Sequence, residues 1–362
     1  MRIVPMVIAA TLFCGVCFSE PRHVVVYKQA GRFGGWPANH GAWAWGNELV
    51  VGFEAGHFKQ NDRSHAIDYS MPAEHVLARS TDGGETWKIE KPESLKAPPG
   101  IRQANVPTEP GKAAAPCPGG INFQHPDFAM TWRMASIHTG PSRFYYSYDR
   151  GKTWQGPFEA PDFGTMGVAA RTDYLVNGRH DATVFLTAAK KDGKEGRVFC
   201  ARTTDGGKSW KFLSYIGEEP PDYAIMPSSV RIGAKSILTT FRRRPWIEAW
   251  RSDDDGMSWK FVTKPVESTG GGNPPSMVKL KDGRLVLTYG YRSAPFSIRA
   301  RVSGDNGATW GEDMILRQDG GAWDLGYTRT LVRPDGKLVT VYYYNDNKDQ
   351  ERYIGATIWQ AP

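Results

Sequence analysis

The stretch that decides the fold is STDGGETW, residues 80–87, because the chain repeats it. Nearly the same spelling returns as SYDRGKTW at 147–154, TTDGGKSW at 203–210, SDDDGMSW at 252–259 and SGDNGATW at 303–310. The closing tryptophans stand at 87, 154, 210, 259 and 310, so successive copies lie 49 to 67 residues apart. That interval suits one four-stranded antiparallel sheet with its turns, which is one propeller blade. The motif itself reads as a hairpin turn. Its Asp accepts backbone N–H groups across the turn, the Gly two residues later supplies a positive φ, and the Trp packs into the sheet it re-enters.

The flanking sequence agrees. Strand-like runs precede the motifs, such as HVLAR at 75–79, VFCAR at 198–202 and IRARV at 298–302. Further hairpin signals, KDGR at 281–284 and PDGK at 334–337, sit between β-rich runs. No long amphipathic helix is visible, and the Pro/Gly-rich 97–120 region reads as a loop between blades one and two. Five motifs account for five blades, and residues 323–359 supply strands for a sixth without a motif. An open ring would expose sheet edges. VVVY at 24–27 is therefore expected to join the last sheet and close the ring. The expected fold is an all-β, six-bladed propeller over residues 20–362.

The bulk composition narrows the function classes. The chain has 362 residues, 40% hydrophobic and 12% aromatic, with 40 Gly and 25 Pro, enough apolar material for a large turn-rich core. The net charge of +7 is spread out apart from Arg242-Arg243-Arg244, with no basic stripe of the kind that binds nucleic acid. Residues 1–19 read as a signal peptide, with Arg2 ahead of a short apolar run around 7–16, so a secreted or periplasmic protein is expected. No later segment is apolar enough to span a membrane. Cys117 and Cys200 remain after cleavage, and sequence does not say whether they pair. There is no Cys/His metal spacing, P-loop, GxSxG or HExxH, so neither a metal nor a cofactor is expected.

Six blades with repeated Ser-x-Asp-x-Gly-x-Thr-Trp turns resemble the sialidase (neuraminidase) superfamily and its Asp-boxes, over essentially the whole mature chain. The resemblance implies an exo-α-sialidase that hydrolyses terminal sialic acid with retention, using a Tyr nucleophile assisted by a Glu, an Asp acid/base, and arginines on the substrate carboxylate. Such a site suits an anionic sugar: a planar guanidinium pairs bidentately with a carboxylate, and a neutral Tyr avoids setting one carboxylate against another. The implied partner is a sialylated or other acidic oligosaccharide.

Carried over residue by residue, the resemblance assigns the nucleophile to Tyr327, in GYTRTLVRPDGK, with Arg329 beside it. Arg242 and Arg292 precede the Asp-boxes at 252 and 303 by ten and eleven residues, so they are expected at matching points of neighbouring blades. The acid/base falls best on Asp62 in NDRSHAIDYS, with Asp68 as runner-up. Two positions depart from the family. Gly35-Trp36-Pro37-Ala38 stands where the family has Arg-Ile-Pro, leaving Arg32 as a substitute, and Tyr223-Ala224-Ile225-Met226 stands where the assisting Glu should be, with Glu219 and Asp222 nearby. Two further clusters are expected at the mouth: Trp36, Asn39 and His40, and Gln124, His125 and Asp127. The departures leave two alternatives open: a propeller hydrolase or lyase acting on other acidic glycans, or a non-catalytic glycan-binding propeller.

Overall fold

The computed structural model describes residues 20–100, 107–108 and 110–362; the signal-peptide reading of 1–19 lies outside them. The Asp-box folds as its chemistry requires. In the first copy, Asp82 accepts the N–H groups of Glu85 and Thr86 at 3.1 and 3.0 Å and the Thr86 hydroxyl at 2.6 Å. Ser80 donates to Asp82 and accepts the Gly84 N–H, and the Trp87 indole N–H donates to the Gly84 carbonyl. Two successive residues take positive φ in every box. The second is always the Gly; the first is Gly83, Arg150, Gly206, Asp255 or Asn306. Sequence reading identified only the Gly.

Six antiparallel sheets surround one axis. In blades four and five the order from the axis outward follows the chain, as in Ile225–Arg231, Ile237–Arg242, Ile247–Ser252 and Lys260–Val266. Blade six runs Gly326–Val332, Leu338–Tyr344 and Tyr353–Trp359, and Arg22–Tyr27 adds outside as its fourth strand, with Val24 opposite Ala356. The expected closure by the N-terminal strand is present.

Blades one to three depart from this regularity. The inner strand of blade one splits into Arg32–Gly35 and Ala42–Trp45 around a single helical turn, Pro37–His40. That of blade three splits into Val168–Ala169 and Tyr174–Gly178. Blade two has three strands among the described residues, beginning at Ala129–Met134. The preceding loop passes along its outer edge, where Ala115 bridges Phe158. These breaks put polar groups on the axis. Arg329 donates to the carbonyls of Ala38 and Thr172 at 2.5 and 2.6 Å, and the hydroxyls of Thr131 and Thr172 bond to the His40 carbonyl. The axis is thus closed part-way by hydrogen-bonded polar side chains, which would be costly to bury unpaired.

Cys117 and Cys200 are both buried and unpaired. Among the described residues no helix is long and apolar enough to cross a membrane.

Candidate active site

Each Asp-box joins the outermost strand that follows it to the strand before, so all five lie on one rim of the ring. The opposite rim carries the starts of the inner strands and the ends of the second strands. A cavity of about 400 Å³ opens there on the axis. Tyr327 and Ile225 reach it from strand starts, Arg242 from a second-strand end, and His65 from the loop that follows a second strand. Trp36 and Asn39 reach it from the helical turn, and Arg171 from the break in blade three.

Tyr327 is aimed by its backbone. It takes φ 51°, a left-handed conformation strained for a bulky residue, and its N–H donates to the Asn273 carboxamide at 2.9 Å. Gly326 before it has φ 105°, and any Cβ there would stand 2.3 Å from Asn273 Nδ2. At the ring's far end, Arg242 Nη1 donates to the Tyr327 hydroxyl at 3.2 Å. Burial works against the Arg242 charge, but the Tyr327 and Tyr223 hydroxyls and Glu195 outweigh it and hold its pKa above the usual value.

Opposite stands a second guanidinium. Arg171 holds Glu195 through Nη1 and Nη2 at 2.9 and 3.3 Å, and its Nε donates to Asn39. The cavity thus has two arginines against one carboxylate, a positive balance suited to an anionic ligand. Among the residues that line the cavity, two buried donors have no hydrogen-bond partner in the described residues: the indole N–H of Trp36 and Nε of Arg242. Trp36 also has a left-handed φ of 57°. Unpaired buried donors are costly and collect at functional sites.

Behind Tyr327 lies a hydrogen-bonded chain. Arg292 donates to the Tyr343 hydroxyl at 2.6 Å, and Tyr343 donates to Asp324 at 2.7 Å. Asp324 also accepts from His65 Nδ1 at 2.5 Å, from the Ala66 N–H at 2.9 Å and from Arg352 Nε at 3.1 Å. Burial opposes its charge, but His65, Arg352 and Arg292 outweigh that and hold the carboxyl far below the usual range.

A model of the BNR repeat-like domain family matches residues 125–340, more than half of the chain. The chain belongs to the BNR repeat-like domain family. Among solved structures, this BNR propeller is similar to a protein of unknown function from Dyadobacter fermentans, with 20% identity and a TM-score of 0.69 over 94% of this chain and 99% of that one. It is also similar to the NanB sialidase of Streptococcus pneumoniae, with 9% identity and a TM-score of 0.62 over 93% and 70%. A third similar structure is the α-L-arabinanase of Penicillium chrysogenum, with 12% identity and a TM-score of 0.57 over 93% and 97%. At these identities the likeness is one of fold. No curated protein matches.

Of the residues singled out from sequence, Tyr327, Arg242, Trp36 and Asn39 line the cavity of this BNR propeller together. The others lie elsewhere. Arg292 does not converge on the cavity as expected: its guanidinium is 5.3 Å from the Tyr327 ring centroid and is occupied by the Leu325 and Gly272 carbonyls and Tyr343. Arg329 braces the axis below the cavity. Arg32 points to the outer part of blade one, against His57, the Ala55 carbonyl and Glu74. Asp62 is exposed and accepts from Gln60, and Asp68 is engaged by Ser70. His125 is on the Asp-box rim, its ring tilted against that of Tyr148, and nearby Asp127 pairs with Arg150 of the second box. That cluster was expected at the mouth; Ala129, just after it, pairs with Ser147 at the start of the second box, which puts the cluster on the other rim.

His40 is buried behind the cavity with its Nε2 3.3 Å from Glu54 Oε2, and His75 Nε2 approaches the same oxygen at 3.7 Å. Burial pushes Glu54 up to about 8, against the pull of Arg133 and Arg143. Burial, aided by Arg133, holds both imidazoles well below their usual value.

Sequence reading missed Arg171, Glu195 and His65. Glu195 stands eight residues before the box at 203, close to the offset that found Arg242, so extending that offset to carboxylates would have reached it. His65 lies in the NDRSHAIDYS loop between Asp62 and Asp68, and the resemblance assigns no role to a histidine there. Arg171 had no signal, because nothing in the sequence marks the break in the inner strand.

Proposed function

We propose that the cavity is the active site of a secreted glycoside hydrolase of the exo-α-sialidase type, which removes a terminal acidic sugar with retention. Tyr327 is the nucleophile, and Arg242 and Arg171 bind the substrate carboxylate. The observation that carries this reading is the Tyr327 hydroxyl held by Arg242 within an axial cavity that also contains a second arginine and one carboxylate. The Arg242 guanidinium orients the phenol oxygen, and a guanidinium fork suits a carboxylate. Glu195, the carboxylate among the lining residues, receives the phenol proton. The Asp-box fold and the apolar run in residues 1–19 support the secreted, glycan-directed part of the reading.

The test is release of fluorophore from aryl α-sialosides by the purified protein, with product stereochemistry followed by NMR. Tyr327→Phe should abolish turnover; full activity in that variant would exclude the mechanism. A second reading, action on a uronic or other acidic sugar, is favoured by one observation: Arg292 is fully engaged and Gly35 stands where a further arginine would be, so two arginines rather than three serve the cavity. Aryl glucuronides in the same assay separate the two. Binding of acidic oligosaccharides without turnover of any of them would leave a glycan-binding propeller.

A further inference from the structure

A glycosidase needs a proton donor for the leaving oxygen, and the two carboxylates proposed from sequence for that task do not line the cavity. We infer that His65 is the general acid/base of this site and that Asp324 is its positioning residue. The inference rests on the hydrolase reading above.

His65 lines the cavity, with its ring centroid 6.2 Å from that of Tyr327 and 5.1 Å from that of Trp36, edge-on to both. Its Nδ1 faces Asp324 at 2.5 Å. Asp324 is 1% exposed and fixed by three other donors, so it is an acceptor with a set orientation. An ionised carboxylate at Nδ1 requires a proton on that nitrogen, which fixes the tautomer and leaves Nε2 for exchange. Nε2 makes no hydrogen bond to the described residues, and the side chain keeps 21% exposure on the cavity side. Orientation by a buried carboxylate, an unengaged second nitrogen and proximity to the phenol are the three features a general acid/base needs.

The proton balance closes. In the first half-reaction the Tyr327 oxygen, its proton passed to Glu195, bonds to the anomeric carbon. The glycosidic C–O bond breaks, and the leaving oxygen takes the proton from His65 Nε2. In the second half-reaction neutral His65 takes a proton from water. The water oxygen bonds to the anomeric carbon, the bond to Tyr327 breaks, and the phenolate recovers its proton from Glu195.

The experiment compares wild type with His65→Gln on aryl glycosides that differ only in leaving group, from dinitrophenyl to unsubstituted phenyl, with kcat and KM measured separately. A residue that donates the proton is needed most for the poor leaving group. The expected loss in kcat/KM is about a hundredfold to ten-thousandfold on the phenyl glycoside and at least tenfold smaller on the dinitrophenyl one. Equal losses across the series, or a change in KM alone, would overturn the role of His65 while leaving the hydrolase reading intact. Failure of the wild type to turn over any member would remove both. An independent readout is the 15N NMR spectrum of His65: a proton held on Nδ1 is expected, with that preference lost in Asp324→Asn. A proton on Nε2 in the neutral wild-type ring would overturn the inference even without activity data.

Discussion

Asp324→Asn should destabilise the fold, and the cost can be worked from its partners. One carboxylate oxygen accepts His65 Nδ1 and the Tyr343 hydroxyl at 2.5 and 2.7 Å; the other accepts the Ala66 N–H and Arg352 Nε at 2.9 and 3.1 Å. An amide keeps one acceptor. The Ala66 and Arg352 donors cannot reverse, so the Asn oxygen must face them and its NH2 must face His65 and Tyr343, which can turn to accept. Shape and hydrogen-bond number are then nearly conserved. What is lost is the charge facing Arg352, which is 2% exposed. Removing one partner of a buried ion pair costs about 3–5 kcal/mol, and the retained bonds put this case at about 3.

The assay is equilibrium urea denaturation, with the midpoint falling at unchanged slope. The pH dependence adds a sign. The folded-state pKa of Asp324 is depressed, so its contribution is present above the unfolded carboxylate value of 3.8 and is lost as pH falls through the folded value. The gap between wild type and variant should therefore be widest near neutrality and narrow as pH drops below about 4. A loss under about 1 kcal/mol, or a gap that grows in acid, would refute the account of Asp324 as an ionised, structurally essential acceptor.

Three other outcomes are expected. Gly326→Ala forces a Cβ to 2.3 Å from Asn273 at φ 105°, so it should cost at least about 2 kcal/mol in thermal or urea unfolding and sharply reduce any turnover that depends on Tyr327; an unchanged midpoint would show that the phenol's aim is not set there. In Asp82, burial works against the charge, but bonds from Thr86, Ser80 and Glu85 together outweigh it and bring the pKa down to about 2. Because that carboxylate is mostly solvated, Asp82→Ala should cost only about 1 kcal/mol, present at neutral pH and vanishing between about pH 4 and 2. Cys117 and Cys200, whose thiols burial pushes up, should resist Ellman's reagent until the protein unfolds and then both react, with identical migration in reducing and non-reducing gels.

The ring was legible because a turn advertises itself locally. Ser-x-Asp-x-Gly-x-Thr-Trp needs only its own eight residues to satisfy its hydrogen bonds, so five copies fix five hairpins, and the closing strand follows from the cost of an open edge. Tyr327 and Arg242 could be found because strand ends keep a constant offset from those turns. Breaks in inner strands follow no such rule. The helical turn at Pro37–His40 and the gap that presents Arg171 arise from packing across the axis, between residues more than a hundred positions apart. The same applies to Arg292: its offset placed it at the right height, but the direction of its guanidinium was decided by two carbonyls and Tyr343, which no pattern records.

The seam between Arg22–Tyr27 and Tyr353–Trp359 sets the order of assembly. During synthesis the first strand emerges more than three hundred residues ahead of the strand it pairs with, so it must wait for that pairing while five blades form behind it. Until the last strand leaves the ribosome, two edges stay open to strands from other chains. Deleting either Arg22–Tyr27 or Tyr353–Trp359 should thus yield self-associating material rather than a smaller soluble ring.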